Sequence, residues 1–564
     1  MARSAILAAA GLACLTAVSA LAAEARLVLL NGRVYTMDAA RSWAEAVAVV
    51  EGKITFVGAS AEAEARAGPG ARRVDLGGRM VLPGFQDSHV HLISGGMVEP
   101  ACDLASARTR AELEQQVLTC AIAPGPWVVG RGWELPLFPA AHPRKELLDA
   151  LVPDRPALFS AADGHSGWAN SRALAAAGIT RETPDPPKGR IERDPTSGEP
   201  TGTLREAATD LVRAKVPAAT TADYVRGLRR GMAEANRLGI TSIQEASADE
   251  PRLRAYAELA KARALTLRVV AALRTDPKRD EAQVDDLIRL RAVYSGARLR
   301  PIAAKIFADG VIESRTAALL QPYLDAPQER GLANFEPQAL ERLVGRLDKE
   351  GFQVHTHAIG DRAIRMTLDA YQAARRANRR RDARHQIAHL QLIDPADVPR
   401  FHELDVIANF QALWAQADEY ITELTEPKLG EQRSRWLYPI ASVAHSGALV
   451  AGGSDWPVSS LDPLSAIELG VTRRRLGDAN GQSWIPEQRV DLGTMIAAYT
   501  SVGAYANRQE RTTGSIEVGK AADLIVLEHD LFALSPDQIH SARVLWTLLD
   551  GGEVYRDPAW TPYR

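Results

Sequence analysis

Cysteine, aromatic residues and net charge are all scarce in this chain. Of its 564 residues only three are cysteine and 6% are aromatic, and 67 basic residues nearly balance 70 acidic ones, so the formal net charge is −3. A chain this close to neutral has no general attraction for phosphate backbones or anionic membranes. We therefore expect no nucleic-acid partner. Hydrophobic residues make up 46% and charged residues 24%, which is ordinary globular composition.

Long apolar runs are missing except at the N-terminus. There a basic start at Arg3 precedes an apolar stretch that ends near Leu21, with small residues around Ala22. This pattern is typical of a secretory signal peptide over residues 1–23. A membrane anchor, or a lipoprotein modified at Cys14, is the alternative. No later run approaches the roughly 18 to 20 apolar residues that a membrane span needs, so we expect an exported protein, periplasmic or secreted, with no membrane contact apart from its export signal.

Two cysteines, Cys102 and Cys120, remain once the signal peptide is removed. In an oxidising compartment they could form a disulfide. They could equally be two separate small buried residues, because bridging depends on the distance between their Cα atoms and not on their spacing in the sequence.

Both ends of the mature chain have a sequence pattern that predicts short strands separated by turns. Residues 24–82 alternate apolar runs with turn signals, of which Asn31-Gly32 predicts a hairpin between its flanking runs. The same pattern occurs again within residues 504–564. We expect the two segments to build one small composite β-sandwich.

Between the two ends, residues 83–503 alternate strand-like runs with long helical patterns, which predicts parallel βα units of an α/β fold. About eight such units favour a (β/α)8 TIM-like barrel over an open sheet. Residues from about 100 to 155 look like an insertion, and those from about 181 to 206 look like a loop rich in Pro, Gly and charge. The eight strand candidates begin at Val81, Ala157, Ile240, Ile302, Phe352, His385, Val406 and Leu449.

Polar residues cluster where these strands end. In a parallel barrel the C-terminal strand ends share one mouth, and residues i and i+2 of a strand face the same way, so His89 and His91 could bind one cation. Alone, such a pair is as often structural as functional. His357, His389 and Asp455 follow later strands, however, in a chain with only 12 histidines. Imidazole and carboxylate are the ligands that zinc and similar metals prefer.

This set of motifs resembles the amidohydrolase superfamily, and most closely its family 3 branch, the YtcJ-like amidohydrolases. The resemblance covers nearly the whole mature chain. It rests on the segments Val81-Leu-Pro-Gly-Phe-Gln-Asp-Ser-His-Val-His, Asp163-Gly-His-Ser-Gly-Trp, Lys305-Ile-Phe-Ala-Asp-Gly, His357-Ala-Ile-Gly-Asp-Arg, Ile387-Ala-His and Gly453-Ser-Asp-Trp-Pro-Val.

The resemblance implies a catalytic site for one or two divalent metal ions, with zinc expected. Lys305 stands where many relatives have a carboxylated lysine that bridges two metals, although it could be an ordinary lysine paired with a carboxylate. His355 shares a strand face with His357 and is the alternative ligand. The implied ligands are His89, His91, Lys305, His357, His389 and Asp455.

The chemistry implied by these roles is attack of metal-activated hydroxide on a carbonyl, with Asp455 moving the proton to the departing nitrogen. The resemblance suggests that His165 reaches the substrate carbonyl. A packed turn is the alternative for that histidine, and an N-cap is the alternative for Asp455. Other residues near predicted strand ends, each with packing as the alternative, are candidates for the pocket: Trp168, Asp309, Arg315, Gln411, Trp414 and Trp456.

We therefore expect a metal-dependent hydrolase of a small molecule, acting on carbon–nitrogen bonds in non-peptide amides or cyclic amides. A deaminase or an ester or lactone hydrolase would use the same site. A third alternative is a non-catalytic exported regulator or binding protein that keeps the fold. Relatives often form dimers, so the resemblance also implies a possible homodimer.

Overall fold

The computed structural model describes residues 26–98, 102–379, 382–478 and 480–561. The predicted signal peptide lies outside these ranges. Within them, no helix combines the length and the apolar character that crossing a membrane requires.

The strands fall into four sheets. Those of the N-terminal segment are β1 (Arg26–Leu30), β2 (Arg33–Tyr35), β3 (Trp43–Ala44), β4 (Ala46–Val50), β5 (Lys53–Gly58), β6 (Arg72–Asp75) and β7 (Met80–Pro83). Next come β8 (Phe85–Val90), β9 (Val128–Trp133), β10 (Ala157–Ala161), β11 (Ser166–Ala169), β12 (Gly189–Arg193) and β13 (Pro200–Glu206). The rest are β14 (Ile240–Ala248), β15 (Arg268–Arg274), β16 (Leu299–Phe307), β17 (Gln353–Ala358), β18 (Gln386–His389), β19 (Ile407–Phe410), β20 (Val450–Gly452), β21 (Leu524–Leu527), β22 (Val544–Leu549) and β23 (Gly552–Arg556).

Helices separate most of these strands. The predicted helical patterns starting at Thr221, Pro337 and Arg362 correspond to α7, α10 and α11. The α-helices are α1 (Ser60–Arg66), α2 (Leu92–Met97), α3 (Arg110–Ala121), α4 (Lys145–Leu151), α5 (Ser171–Ala177), α6 (Ala207–Arg213), α7 (Thr221–Arg237), α8 (Glu250–Lys261), α9 (Val284–Tyr294), α10 (Pro337–Lys349), α11 (Asp361–Asn378), α12 (Val398–Glu403), α13 (Glu426–Leu429), α14 (Glu431–Ser434), α15 (Ile440–His445), α16 (Pro463–Thr472), α17 (Leu492–Ala498) and α18 (Ser501–Ala506).

Eight parallel strands form the barrel, in the order β20-β19-β18-β17-β16-β15-β14-β8. Helices cover its outside and its own side chains fill its inside, so most of its strand residues are buried. Barrel closure depends on hydrogen bonds between β8 and the segment after β20, where the Asp455 amide donates to the His89 carbonyl at 2.7 Å. The predicted TIM-like fold is confirmed.

One predicted barrel strand was wrong. The run beginning at Ala157 forms β10, which pairs with β9 and β11 in a separate sheet, and the missing barrel strand is β15. Both runs are short, apolar and buried, and such a run indicates burial without telling which sheet it joins.

The insertion between β8 and β14 is larger than the sequence predicts. Its five strands, in the order β12-β13-β11-β10-β9, run from Val128 to Glu206, so the predicted loop at about 181–206 is in fact a strand pair. Near its start Cys102 and Cys120 form a disulfide, with their Cα atoms 4.7 Å apart. The insertion has its own apolar cores, one of which contains Trp168.

The two chain ends build the expected composite β-sandwich. One sheet has the order β5-β4-β1-β6, and the other, β23-β22-β21-β7-β2-β3, combines strands from both termini. The hairpin predicted at Asn31-Gly32 is absent, because β1 and β2 belong to different sheets. A two-residue hairpin turn instead joins β4 to β5 at Glu51 and Gly52, both of which have positive φ (48° and 76°).

Gly84 marks the point where the chain leaves the sandwich for the barrel. The sequence predicts one strand here, but β7 ends at Pro83 and β8 starts at Phe85. A Cβ at position 84 would lie 2.3 Å from the Thr241 hydroxyl oxygen, so the chain can pass this close to β14 only as glycine.

A buried ion pair joins the barrel to the sandwich. Arg268 of β15 donates from Nε and Nη2 to the two carboxylate oxygens of Asp523, at 2.6 and 3.0 Å. The Asp523 side chain is fully buried, so its charge depends on this bidentate contact.

Replacing Arg268 with methionine should therefore destabilise the protein by about 3 kcal/mol, because it leaves the Asp523 carboxylate buried without its partner. Thermal or urea unfolding measures the change. Arg435→Ala is the matched control: it breaks the exposed pair with Glu431 and should cost under about 0.5 kcal/mol. Equal stability of the two variants would contradict this view of the joint.

Candidate active site

The ligand candidates converge on one mouth of the barrel because each lies at or just beyond a C-terminal strand end. His89 is in β8 and His91 follows it; Lys305 is in β16, His357 in β17 and His389 at the end of β18. Asp455 lies three residues beyond the end of β20. The structure thus brings together all six residues that the resemblance implies.

His89, His91 and Asp455 form the tightest group. Asp455 Oδ1 lies 3.3 Å from His89 Nε2 and 3.2 Å from His91 Nε2. One ligand atom from each of the three residues lies within 4.8 Å of the others, and among the described residues this is the group of histidine and acidic side chains that could hold a metal ion.

The chain approaches itself closely to bring these three together. The Ser454 amide donates to Asp87 Oδ1 at 3.1 Å, and the His91 amide donates to the Trp456 carbonyl at 2.8 Å. Gly453 is required beside them, since a Cβ there would lie 2.6 Å from the His89 Cβ. The Gly-Gly-Ser-Asp sequence therefore lets the last strand close against the first.

His357 and His389 form a second group beside the first. Their ring centroids are 4.4 Å apart, and His389 Nδ1 lies 3.9 Å from Asp455 Oδ2. His357 Nε2 is 3.2 Å from the Gly310 carbonyl oxygen. The two carboxylate oxygens of Asp455 therefore face different histidine groups.

Lys305 lies between the two groups and is fully buried. Its Nζ is 3.4 Å from His89 Nε2, and no carboxylate of the described chain is within 4.0 Å, so the alternative of an ordinary lysine ion pair does not describe it. Burial lowers the pKa of Lys305 to about 7.

These side chains fit a divalent metal. Burial lowers the pKa of His89, His357 and His389 well below the usual range, so each ring is neutral with a lone pair to offer. Burial alone would raise the pKa of Asp455, but His91, His389 and Lys305 lower it to about 2. Within the described residues, Asp455 Oδ1 and His389 Nδ1 are buried without a hydrogen-bond partner. Metal ligation would satisfy both atoms.

His355, the alternative ligand, instead lies behind His89. Its Nε2 is 2.8 Å from His89 Nδ1, and its own Nδ1 is 3.1 Å from Gln244 Oε1. Because the Gln244 oxygen can only accept, His355 Nδ1 carries the proton, its Nε2 accepts from His89 Nδ1, and His89 Nε2 is left as a lone pair facing the site.

His165 reaches the site from the insertion. Its Nδ1 lies 3.0 Å from Glu206 Oε2, and its ring centroid is 5.2 Å from that of His357. Burial alone would lower the pKa of His165, but the Glu206 and Asp163 carboxylates raise it to about 9. The imidazolium therefore exists at neutral pH and is lost as pH rises through about 9.

Three of the residues around the site have strained backbones. Glu206, His389 and Asp455 have φ of 49°, 80° and 54°, in a region that residues other than glycine rarely adopt. Such strain persists where the surrounding structure holds a side chain in a required position. Glu206 is further held by a 2.7 Å hydrogen bond from the Thr316 hydroxyl.

A cavity of about 520 Å³ opens above the ligands. His165, Trp414 and Trp456 lie on its wall, and Trp414 stacks on His389 with 5.4 Å between ring centroids. Both the barrel loops and the insertion contribute to the wall, so the pocket forms where the two units meet.

Four predicted pocket residues do not line the cavity, which corrects the sequence-based prediction. Trp168 is fully buried in the insertion, where Nε1 donates to the Arg144 carbonyl at 3.0 Å. Asp309 accepts the amides of Ala318, Ile359 and Gly360, and its Oδ1 lies 3.6 Å from His357 Nε2, so it holds the loops beside a ligand candidate. Arg315 forms an ion pair with Asp325, and Gln411 donates to Asn409 inside the barrel.

Sequence reasoning missed Glu206 and Glu245. Glu206 lies in the segment taken for a loop, and Glu245 is a buried residue of β14 whose Oε1 is 3.8 Å from His91 Nδ1. Neither belongs to a local motif. Only their contacts with histidines distant in the chain reveal them.

Comparison with known proteins agrees with this geometry. The model of an amidohydrolase family, Amidohydro_3, matches residues 72–555. The chain is 32% identical to the protein LONG AFTER FAR-RED 3 of Arabidopsis thaliana, over 94% of this chain and 92% of that one. It is 30% identical to an N-substituted formamide deformylase of Arthrobacter pascens, over 93% and 97% of the two chains.

Solved structures are similar over the same extent. An uncharacterised metal-dependent hydrolase from Pyrococcus horikoshii superposes with a TM-score of 0.72 at 26% identity, covering 91% of this chain and 99% of that one. The site, the barrel and the matches all point the same way: the chain belongs to the amidohydrolase family.

Proposed function

We propose that this hydrolase cleaves carbon–nitrogen bonds of small non-peptide amides or cyclic amides, with a divalent metal, zinc, held by the ligand set described above. One observation carries the proposal. A buried carboxylate oxygen, Asp455 Oδ1, has no hydrogen-bond partner among the described residues and lies between His89 and His91, while a charged histidine of the insertion, His165, lines the same cavity.

Asp455 is placed to move the proton. A divalent metal held here would supply a nucleophile at neutral pH, because such ions lower the pKa of water from 15.7 to about 7 in favourable sites. With its pKa near 2, Asp455 is ionised, and as water attacks the carbonyl carbon it can accept a proton at Oδ2, the oxygen that ligation through Oδ1 leaves available. It can then return that proton to the departing nitrogen.

His165 is placed to stabilise the carbonyl oxygen. Its Nδ1 is engaged by Glu206, so Nε2 of the imidazolium is free to donate a hydrogen bond into the cavity. A fixed donor of this kind stabilises the negative charge that develops on the oxygen during attack.

The formamide deformylase relative supports the choice of bond, since an N-substituted formamide is a small non-peptide amide. A deaminase or an ester or lactone hydrolase would need the same proton transfers. A regulator without activity is the remaining rival, and the assay below separates it from an enzyme.

We further propose that the protein is exported to the periplasm or secreted. The pattern of residues 1–23 supports this, and so does the Cys102–Cys120 disulfide, because disulfides are uncommon in reducing compartments.

Metal analysis tests the site directly. His89→Ala should lose metal, and hydrolysis of an N-substituted formamide should fall at least about 10³-fold, because several kcal/mol of charge stabilisation are lost. Asp455→Asn should lower the rate of hydrolysis by a similar factor but should still bind part of the metal. Two metals falling to one or none in Lys305→Ala would support a bridging lysine.

His529→Ala is the matched control, since this histidine is half-exposed and distant from the ligands in the chain. It should keep both metal and activity. Stoichiometric metal in the wild type, with no hydrolysis of amides, cyclic amides or esters, would instead favour the regulator.

Substitution of His165 separates catalysis from metal binding. His165→Asn should lower kcat by about 10² to 10³-fold, because one charged donor to the carbonyl oxygen is lost. Metal content should be unchanged. Glu206→Gln should shift the alkaline limb of the pH–rate profile to lower pH, since the carboxylate no longer holds the imidazolium. If the alkaline limb of the profile does not shift in Glu206→Gln, then His165 takes no part in the reaction.

His355→Leu tests the positioning of His89. Loss of the acceptor at His89 Nδ1 should weaken metal binding by about 10 to 100-fold. Competition with a chromogenic chelator measures this without any assay of activity. His355→Gln, which can still accept from His89, should recover part of the affinity, and equal affinity in wild type and both variants would contradict the arrangement.

A further inference from the structure

The cavity wall beyond the metal ligands carries more negative than positive groups. Six carboxyl side chains other than Asp455 line it, against two arginines and the His165 imidazolium. The carboxyl groups belong to Asp103, Glu134, Asp163, Glu234, Glu313 and Asp418, and the arginines are Arg108 and Arg131.

Of the six, Glu234 alone forms an ion pair within the described ranges, with Arg237 at 2.6 Å. No lysine, arginine or histidine nitrogen of those ranges lies within 4.0 Å of Glu313 or Asp418. Glu313 Oε1 accepts from Gln391 Nε2 at 2.8 Å and from Thr425 Oγ1 at 2.6 Å. Asp418 Oδ1 accepts from the Ile421 amide at 3.1 Å. One oxygen of each carboxylate is left without a donor.

Tyr438 adds an independent observation at the same place. The residue is 3% exposed and lines the cavity, yet its hydroxyl has no hydrogen-bond partner among the described residues. Burial raises the pKa of this hydroxyl, and the carboxylates of Glu313 and Asp418, which line the same cavity, raise it further. Buried polar groups are normally paired, so this hydroxyl is available to a ligand in the cavity.

The position suits the far end of a bound substrate. Gln391, which holds Glu313, follows His389 by two residues, and its carbonyl accepts from the Tyr438 amide at 2.9 Å. Trp414 and Tyr420 supply aromatic surface to the same cavity. Carboxylates combined with aromatic rings are the features that bind organic ammonium ions.

We propose that the substrate carries an ammonium group, which binds at the acidic subsite formed by Glu313, Asp418 and Tyr438 while the scissile bond lies at the metal ligands. This inference deepens the proposed function and rests on it for the position of that bond. The acidic subsite selects the substrate and takes no part in breaking the bond.

Arg131 does not favour an anionic substrate instead. Its guanidinium donates from Nη2 to the Ala162 carbonyl at 3.4 Å, and the Asp103 and Glu134 carboxylates lie near enough to offset its charge. Two cations act on the acidic subsite from beyond 4.0 Å, and each is engaged by another acceptor. Lys428 Nζ donates to the Leu424 carbonyl at 2.7 Å, and Arg475 donates to Glu419 at 2.6 Å.

Calorimetric binding of choline to the metal-loaded protein tests the subsite. The comparison ligand is its uncharged isostere, in which a quaternary carbon replaces the nitrogen. Neither nitrogen nor carbon can ligate a metal, and both ligands keep the hydroxyl. Wild type should bind choline about tenfold more tightly than the isostere.

The double substitution Glu313→Gln and Asp418→Asn should abolish the preference for choline over its isostere, and Tyr438→Phe should reduce it. The two amides keep an oxygen to accept the bonds from Gln391, Thr425 and Ile421. Glu423→Gln, an exposed residue of the same segment, is the matched control and should leave both affinities unchanged. Metal content and the affinity for the isostere report whether each variant is folded.

Equal binding of choline and its isostere by wild type would overturn the proposal, as would a preference that survives the double substitution. Because binding needs no turnover, the two proposals fail separately. Preference for choline without hydrolysis of any amide would contradict only the proposed function. Hydrolysis of uncharged amides without preference for choline would contradict only the acidic subsite.

Discussion

The seam between the first and last barrel strands is the contact on which the site depends. His89 and His91 come from the start of the barrel and Asp455 from its end, and only closure brings them together. The bond from the Asp455 amide to the His89 carbonyl both closes the barrel and sets the separation of the two side chains. Gly453 permits that approach, and the positive φ of Asp455 turns its carboxylate into the mouth. Fold and chemistry therefore share the same few hydrogen bonds.

Beneath the ligands, the barrel interior is polar where an apolar core might be expected. Gln244 donates to Gln353 at 2.9 Å, and Asn409 donates to Gln386 at 2.9 Å, so buried amides pair with one another below His355. Burying amides costs free energy unless they are hydrogen-bonded. What these buried amides provide is orientation. The series of hydrogen bonds that begins at Gln244 determines which nitrogen of His89 faces the site.

Much of this could be predicted from sequence because it is local. The period of strands and helices identified the barrel, and the histidines at strand ends identified residues that the structure brings to one mouth of it. The predictions that failed depend on contacts between residues that are distant in the chain. Strand β10 and strand β15 are equally apolar, so nothing in either run tells which one joins the barrel. Glu206 was missed because its contact is with His165, a residue distant in the chain. Pocket residues were misassigned for the same reason: Trp168 packs inside the insertion, and Asp309 binds loop amides beside His357 without reaching the cavity.

The insertion has a consequence of its own. It folds around separate apolar cores, yet it supplies His165 and part of the cavity wall, while the barrel supplies every ligand candidate. The metal ligands are thus encoded in the barrel stretches of the gene, whereas part of the cavity wall, with His165, is encoded in the insertion. Substitutions in the insertion can reshape that wall without touching the metal centre, so a lineage that keeps His165 could change its substrates through this one module.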